Sequence, residues 1–514
     1  MLQCAACPEF PFPEYRANEI GLMLFNSFQF VMFFVVVFAV HWYVLTRQRH
    51  RVLWLLTSSF VFYGAWSARL VLLLLAVIGI AYGAALLLDP ARGLRRRGWM
   101  LAMAVAALLG ILACFKYLGF FSESLQLLMG QFGIKLSWPT LNIILPVGIS
   151  FYVFQAISYV ADVYRGRLPA RRDAIDVAFY VSFFPQLVAG PILRASQFFP
   201  QISRTKVLTG ENFSFGVKMI FVGVIYKVIL ADSIAPRIDP VFAAPDQWSG
   251  TSLWIASLGF GAQIYFDFAG YSTMAIGFAR LLGYRVPRNF NFPYSRTNIT
   301  EFWRNWHISL SHWLRDYLFI SLGGSRSGRS RYYLNLLTTM VLGGLWHGAS
   351  FNFLIWGGLH GMALCLHKVW KGASGAEVRP PFSVLPWFVF SWFATQVFVF
   401  LCWVPFRAQN LGDTRTILGR MFLGTSELGT AGLELSALHW SLLLLLVPLA
   451  VDQWFGVRRG FWFPNRRAEV AGEYFVKVSS RAAIGLVVFS LGFLVAIYLA
   501  LVPVESIPFI YFQF

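Results

Sequence analysis

The residue best placed to do chemistry is His347, set in Val341-Leu342-Gly343-Gly344-Leu345-Trp346-His347-Gly348-Ala349. An ionisable side chain inside so apolar a run is expensive and normally faces a cavity or a partner. A neutral imidazole can accept a hydroxyl proton near neutral pH, as the general base of an acyl transfer must. The flanking glycines would let a substrate or another backbone approach closely. The plainer alternative is a histidine hydrogen-bonded to a neighbouring helix. His307, in Phe302-Trp303-Arg304-Asn305-Trp306-His307-Ile308-Ser309-Leu310, is the second candidate, either orienting a substrate or packed at an interface. His312 follows five residues later, about 140° around a helix, so the two cannot form the i,i+4 pair of a helical zinc site. No HExxH occurs, and no metal is expected. His312 reads as solvated and His360 as a packing residue. Asp267, in Tyr265-Phe266-Asp267-Phe268-Ala269-Gly270-Tyr271, is the other ionisable group at membrane depth, expected to meet an arginine or the backbone of an unwound turn in a structural role. Asp162 is expected to pair with Arg165. Cys4 and Cys7 form a lone CxxC, too little for a zinc or redox site.

The elements that hold these residues must be membrane helices. Of 514 residues, 58% are hydrophobic and 13% charged, too little polar surface for a water-soluble globule of this length. Apolar runs of spanning length fall at 23–45, 52–66, 70–88, 99–121, 141–163, 213–230, 253–282, 332–350, 351–369, 384–404, 438–455 and 482–502. The run at 177–192 is broken by Pro185, Gly190 and Pro191 and is a candidate re-entrant segment. The net charge of +19 does not point to nucleic acid, because the cations gather in alternate loops: Arg47, Arg49 and Arg51, then Arg95–Arg97, Arg165–Arg172, Arg194–Lys206 and Arg285–Arg331. That alternation places these loops in the cytoplasm and both termini outside. Between Leu282 and Tyr332, residues Trp306, His307, Leu310, Trp313, Leu314, Tyr317 and Leu318 share one stripe of a helix. This predicts an amphipathic helix at the cytoplasmic interface, capped by Thr297 or Thr300 and ended by Gly323-Gly324. Gly343-Gly344 and Gly357-Gly358, echoed on adjacent spans, predict close helix packing.

Several segments together resemble the membrane-bound O-acyltransferase family, in its bacterial alginate O-acetyltransferase branch. They are Met23-Leu24-Phe25-Asn26-Ser27, Leu145-Pro146-Val147-Gly148-Ile149-Ser150-Phe151, Phe184-Pro185-Gln186-Leu187-Val188-Ala189-Gly190-Pro191-Ile192, the Asp267 and His307 segments above, Asn291-Phe292-Pro293-Tyr294, and Leu345-Trp346-His347-Gly348-Ala349. The resemblance implies an all-α, polytopic fold of about 11–13 transmembrane helices ringing a central tunnel, with re-entrant and interfacial amphipathic helices. Residues 1–22 would be an N-terminal extension and 23–514 one membrane-embedded acyltransferase domain, its motifs mainly within 141–362. His347 would be catalytic and His307 a second tunnel residue, with Asn305, Trp306, Trp346, Asp267 and Arg304 as candidates for binding substrate or donor. The implied donor is acetyl-CoA, and the setting is the bacterial inner membrane. There an acetyl group would cross to a periplasmic exopolysaccharide, alginate first, with separate periplasmic acetyltransferase proteins as partners. His347 is then expected to line an aqueous passage open to a thioester from one face and an alcohol from the other. The rival readings are a lipid or polymer transporter, a scaffold for a secretion complex, and acetylation of cellulose or peptidoglycan instead of alginate.

Overall fold

A computed structural model describes residues 23–93, 96–134, 146–326, 328–374, 385–423 and 446–453. The N-terminal extension, Cys4 and Cys7, the run at 482–502 and most of the run at 438–455 lie outside the described residues. Within them the secondary structure is helical.

The apolar runs become helices close to where the sequence places them. Four are long and apolar enough to cross a membrane: Ala68–Leu88, Arg97–Lys116, Gly210–Ala243 and Pro386–Arg407. Fewer helices pass that test than the apolar runs predict, for a reason visible in Gly250–Leu281. This 32-residue helix is buried along most of its length, so its neighbours are protein instead of lipid. It can therefore carry Gln263, Asp267, several serines and four internal glycines, which lower its apolar content. Helix Gly210–Val224 packs against it where Gly216 faces Gly277 and Gly223 faces Gly270, and a Cβ at any of the four would enter the partner helix.

Two segments depart from simple spans. The broken run at 177–192 folds as Ala174–Ser182 and the single turn Phe184–Leu187, then an irregular stretch, and is almost wholly buried. Its freed backbone groups are taken up inside the protein: Ser59 Oγ accepts from the Phe184 N–H at 3.1 Å and Ser309 Oγ from the Ile192 N–H at 2.9 Å. The predicted amphipathic helix is not continuous. It is Ile299–Asn305, a break at Trp306-His307, Ile308–Trp313, and a π-helical turn Leu314–Phe319. Its N-cap is Asn298, whose Oδ1 accepts from the Glu301 N–H at 2.9 Å, in place of Thr297 or Thr300. Gly323 and Gly324 do end it, both at positive φ. The break arises because Asn289 and Asn291 capture the groups a straight helix would use internally. The Ile308 N–H donates to Asn289 O at 2.8 Å and Asn305 O accepts from the Asn291 N–H at 3.0 Å.

The glycine echo is a packing device, as its pattern suggests. Helices Arg329–His347 and Phe351–Ser374 meet where Gly344 lies on Phe353 O and Gly357 on Met340 O, leaving no room for a side chain at either.

Candidate active site

Helix Arg329–His347 ends on its own histidine. His347 is 4% exposed, and Gly348 leaves the helix in an extended conformation. His307 reaches the same place from the break between two short helices, with φ 40° and ψ 56°, and is 0% exposed. The ring centroids lie 6.5 Å apart. Trp346 flanks both, 4.8 Å from His347 and 5.8 Å from His307. Phe268, from Gly250–Leu281, meets His307 edge-on at 4.6 Å. Trp356 and Phe406 close the far side of His347 at 5.0 and 5.3 Å.

The enclosure is apolar and tight. Both ring nitrogens of His307 are buried without a hydrogen-bond partner among the described residues, an arrangement that costs about 1–3 kcal/mol per orphaned group. Orphaned donors and acceptors beside a second imidazole are what a polar reacting group could use. The pair is enclosed in this structure, in contrast to the open passage the sequence predicts, because large aromatic side chains from four helices fill the space around it.

The other sequence candidates divide. Trp346 belongs to the enclosure. Trp306 is 1% exposed and stacks on Phe302, with ring centroids 5.5 Å apart. Asn305 is spent on scaffold: its Nδ2 donates to Glu301 O at 2.7 Å while its Oδ1 accepts from Asn291 Nδ2 at 2.7 Å. Arg304 points away, exposed and paired with Glu301 at 2.6 Å. Asp267 pairs with a lysine where an arginine or an unwound backbone is expected: its carboxylate lies 2.7 Å from Lys227 Nζ, which also pairs with Asp232 at 2.7 Å. Lys227 sits in the π-helical turn Ile225–Ala231, whose extra residue turns it toward Gly250–Leu281. Asp162 pairs with Arg167 at 3.3 Å and accepts from Tyr317 Oη at 2.7 Å. The turn at Gly166, φ 68°, brings Arg167 back over it. Arg165 instead donates to Asp316 O and Ser321 Oγ. His312 is exposed, and His360 is a buried packing residue that accepts from Trp303 Nε1 at 3.2 Å.

Sequence reasoning passed over Lys227, Lys116 and Asn289. The first two had a signal, a cation within an apolar run. Asn289 had none, since its partners Ser272 and Ser309 are distant in sequence.

The membrane-bound O-acyltransferase family model matches residues 167–403, a range that holds both histidines and the broken segment beside them. The chain belongs to this family and is an O-acyltransferase. It is 40% identical to a probable alginate O-acetylase AlgI of Pseudomonas putida, across 96% of this chain and 100% of that protein. It is 41% identical to one of Azotobacter vinelandii, across 86% of each. A peptidoglycan O-acetyltransferase of Helicobacter pylori is 34% identical over 78% of this chain and 80% of its own length.

Proposed function

We propose that this chain transfers an acetyl group from cytoplasmic acetyl-CoA, across the bacterial inner membrane, for O-acetylation of a periplasmic exopolysaccharide, with alginate as the leading polymer. The observation that carries the reading is the juxtaposition of His347 and His307 in a water-poor aromatic enclosure. Coenzyme A is polyanionic and cannot cross a bilayer, while the polymer is confined outside, so the two substrates must meet at a buried centre reached from both faces. Access to it requires displacement of the rings that now cover His347.

In this mechanism the His347 imidazole takes the proton of an acceptor hydroxyl as its oxygen attacks the thioester carbonyl carbon. The C–O bond forms, the tetrahedral intermediate collapses, and the C–S bond breaks. The departing thiolate takes the proton back from the imidazolium, leaving an acetyl ester, a free thiol and neutral His347. His307, with its ring nitrogens uncommitted, orients the thioester or the oxyanion. Donor phosphates fall to Arg326, Arg329 and Arg331, which are exposed at the cytoplasmic start of the His347 helix. Arg165, Arg171 and Arg194 are already engaged with protein groups. Periplasmic acetyltransferase proteins are the expected partners that hand the group to the polymer.

Replacing His347 with Ala should abolish thiol release from acetyl-CoA in the presence of a competent acceptor while leaving membrane insertion intact; transfer that persists would remove His347 from the mechanism. The Helicobacter relative supports a second reading, in which peptidoglycan is the acceptor. Ester-linked acetate on each polymer, compared between cells with and without the chain, separates the two.

A further inference from the structure

Helix Arg329–His347 leaves its last carbonyls without intrahelical donors, as every helix does. The usual remedy is a left-handed glycine just past the end. Gly348 occupies that position but is extended, with φ −158°. The carbonyls are satisfied from another helix, 230 residues earlier in the chain. Lys116 Nζ donates to Trp346 O at 2.5 Å and to His347 O at 3.0 Å, and Tyr117 Oη donates to Leu345 O at 3.0 Å. Three consecutive carbonyls, the last belonging to His347 itself, are thus held by two adjacent residues at the end of Arg97–Lys116.

The ammonium is in an unusual place for a cation. It ends a helix of spanning length and composition, the preceding residues are Ala113, Cys114 and Phe115, and it lies 5.8 Å from the Trp346 ring centroid. Its hydrogen-bond partners among the described residues are those two carbonyls. A cation at the negative end of a helix is favourably placed, yet bringing it into apolar surroundings offsets much of that gain. A contact needed only to join two helices could be made by apolar side chains without that penalty.

We propose that Lys116 is a positioning residue for the acyl transfer: its ammonium, with Tyr117, fixes the final turn of the helix so that the His347 imidazole keeps its orientation between Trp346, Trp356 and Phe406. This rests on the reading of His347 as the base. Lys116 touches the backbone of the last turn and is not assigned a contact with substrate.

The test uses the purified full-length chain with acetyl-CoA and the acceptor that the unsubstituted chain acetylates, and compares Lys116→Met, Lys116→Arg, Tyr117→Phe and His347→Ala. Lys116→Met keeps the length of the side chain and removes every donor. It should lower kcat by tenfold or more with KM for acetyl-CoA within about twofold. Lys116→Arg, which can still donate to both carbonyls, should recover most of that loss, and Tyr117→Phe should lower kcat by a smaller factor. Lys116→Met with unchanged kcat per folded molecule would overturn the proposal, as would Lys116→Arg that is inserted and folded yet as slow as Lys116→Met. If Lys116→Met does not fold, the Arg and Phe variants decide, and unchanged kcat in Tyr117→Phe with lost kcat in folded Lys116→Arg counts against it. An active His347→Ala would instead sink the underlying reading of the base. An inactive His347→Ala beside a fully active Lys116→Met would sink the role of Lys116 alone.

Discussion

His307 holds a left-handed backbone, φ 40°, that costs a non-glycine residue roughly 1–3 kcal/mol, and it holds it where both ring nitrogens are buried and unpartnered. Two unfavourable features at one residue are hard to reconcile with packing alone. Asn tolerates the left-handed region better than most residues and cannot act as an imidazole does. We therefore expect His307→Asn to fold and insert normally while losing about 10²–10⁴-fold in kcat/KM, the range of acid–base or comparable polar assistance. Steady-state thiol release by the purified variant checks this; activity within tenfold would make His307 a packing residue. The two histidines were legible as candidates on different grounds: His347 is an ionisable group in an apolar run, and His307 falls on the apolar stripe of a charged loop. The left-handed turn at His307 was not, since Asn289 and Asn291, which clamp its neighbours, act through partners 14 to 20 residues away.

Helix against helix, the candidate site residues depend on contacts that a single methyl group would break. At Gly344 a new Cβ would press on Phe353 O and on Gly357 at 3.1 Å. Gly344→Ala should destabilise by about 1–3 kcal/mol and displace the His347 end of its helix, seen as a lower melting temperature in detergent together with lost transfer. Gly79, with nothing within 4 Å of a built Cβ, is the control: Gly79→Ala should leave both unchanged or slightly raise the melting temperature. The Leu314–Phe319 turn is tied down differently. Asp316 accepts from Arg194 at 2.6 Å and from Arg315 at 2.7 Å. Burial opposes its charge, but these two guanidinium groups outweigh burial and hold its carboxyl below the usual range. A depressed carboxyl contributes stability that is complete above the unfolded value of about 3.9 and is lost as the pH falls through the folded one. Asp316→Asn should thus melt a few degrees lower at pH 7, with the gap closing only in acid; an equal gap at every pH would remove the ion pairs as its cause. The sequence displayed the apolar stripe of this region correctly but not its break, because periodicity reports which side chains are buried and not whether the backbone between them is continuous.

At the scale of the described molecule, one set of long-range bonds joins helix ends assigned to the same membrane face. Trp42 Nε1 donates to Leu281 O, Gln48 to Ile202 O, Arg51 to Lys206 O and Arg97 to Tyr164 O, all between ends that the basic loops assign to the cytoplasm. Tyr63 to Val147 O, Lys116 to Trp346 O, Arg420 to Trp248 O and Arg407 to Asp239 join ends assigned to the opposite face, and none of these bonds links one face to the other. These bonds agree with the order of spans read from the sequence, whereas Trp403 Nε1 to Tyr294 Oη and Tyr226 Oη to Asp452 join positions assigned to opposite ends, through the buried middle of the bundle. Ion pairs inside the membrane, such as Lys227 with Asp267 and Asp232, stayed illegible because their partners come together only after the spans have packed. On the proposed reading, the same order would put His347 at the outward end of its 19-residue helix, about 28 Å from Arg329 and nearer the polymer than the donor, so the thioester would have to cross most of that distance from the cytoplasm to reach it. Sidedness can be measured with single cysteines in a chain whose native cysteines are replaced. Gln247 and Ser325 are both exposed, at opposite predicted faces. A membrane-impermeant maleimide added to intact spheroplasts should label Gln247→Cys at once and Ser325→Cys only after permeabilisation. The reverse pattern would turn the molecule over, set His347 on the cytoplasmic side and require the polymer, instead of the acetyl group, to cross.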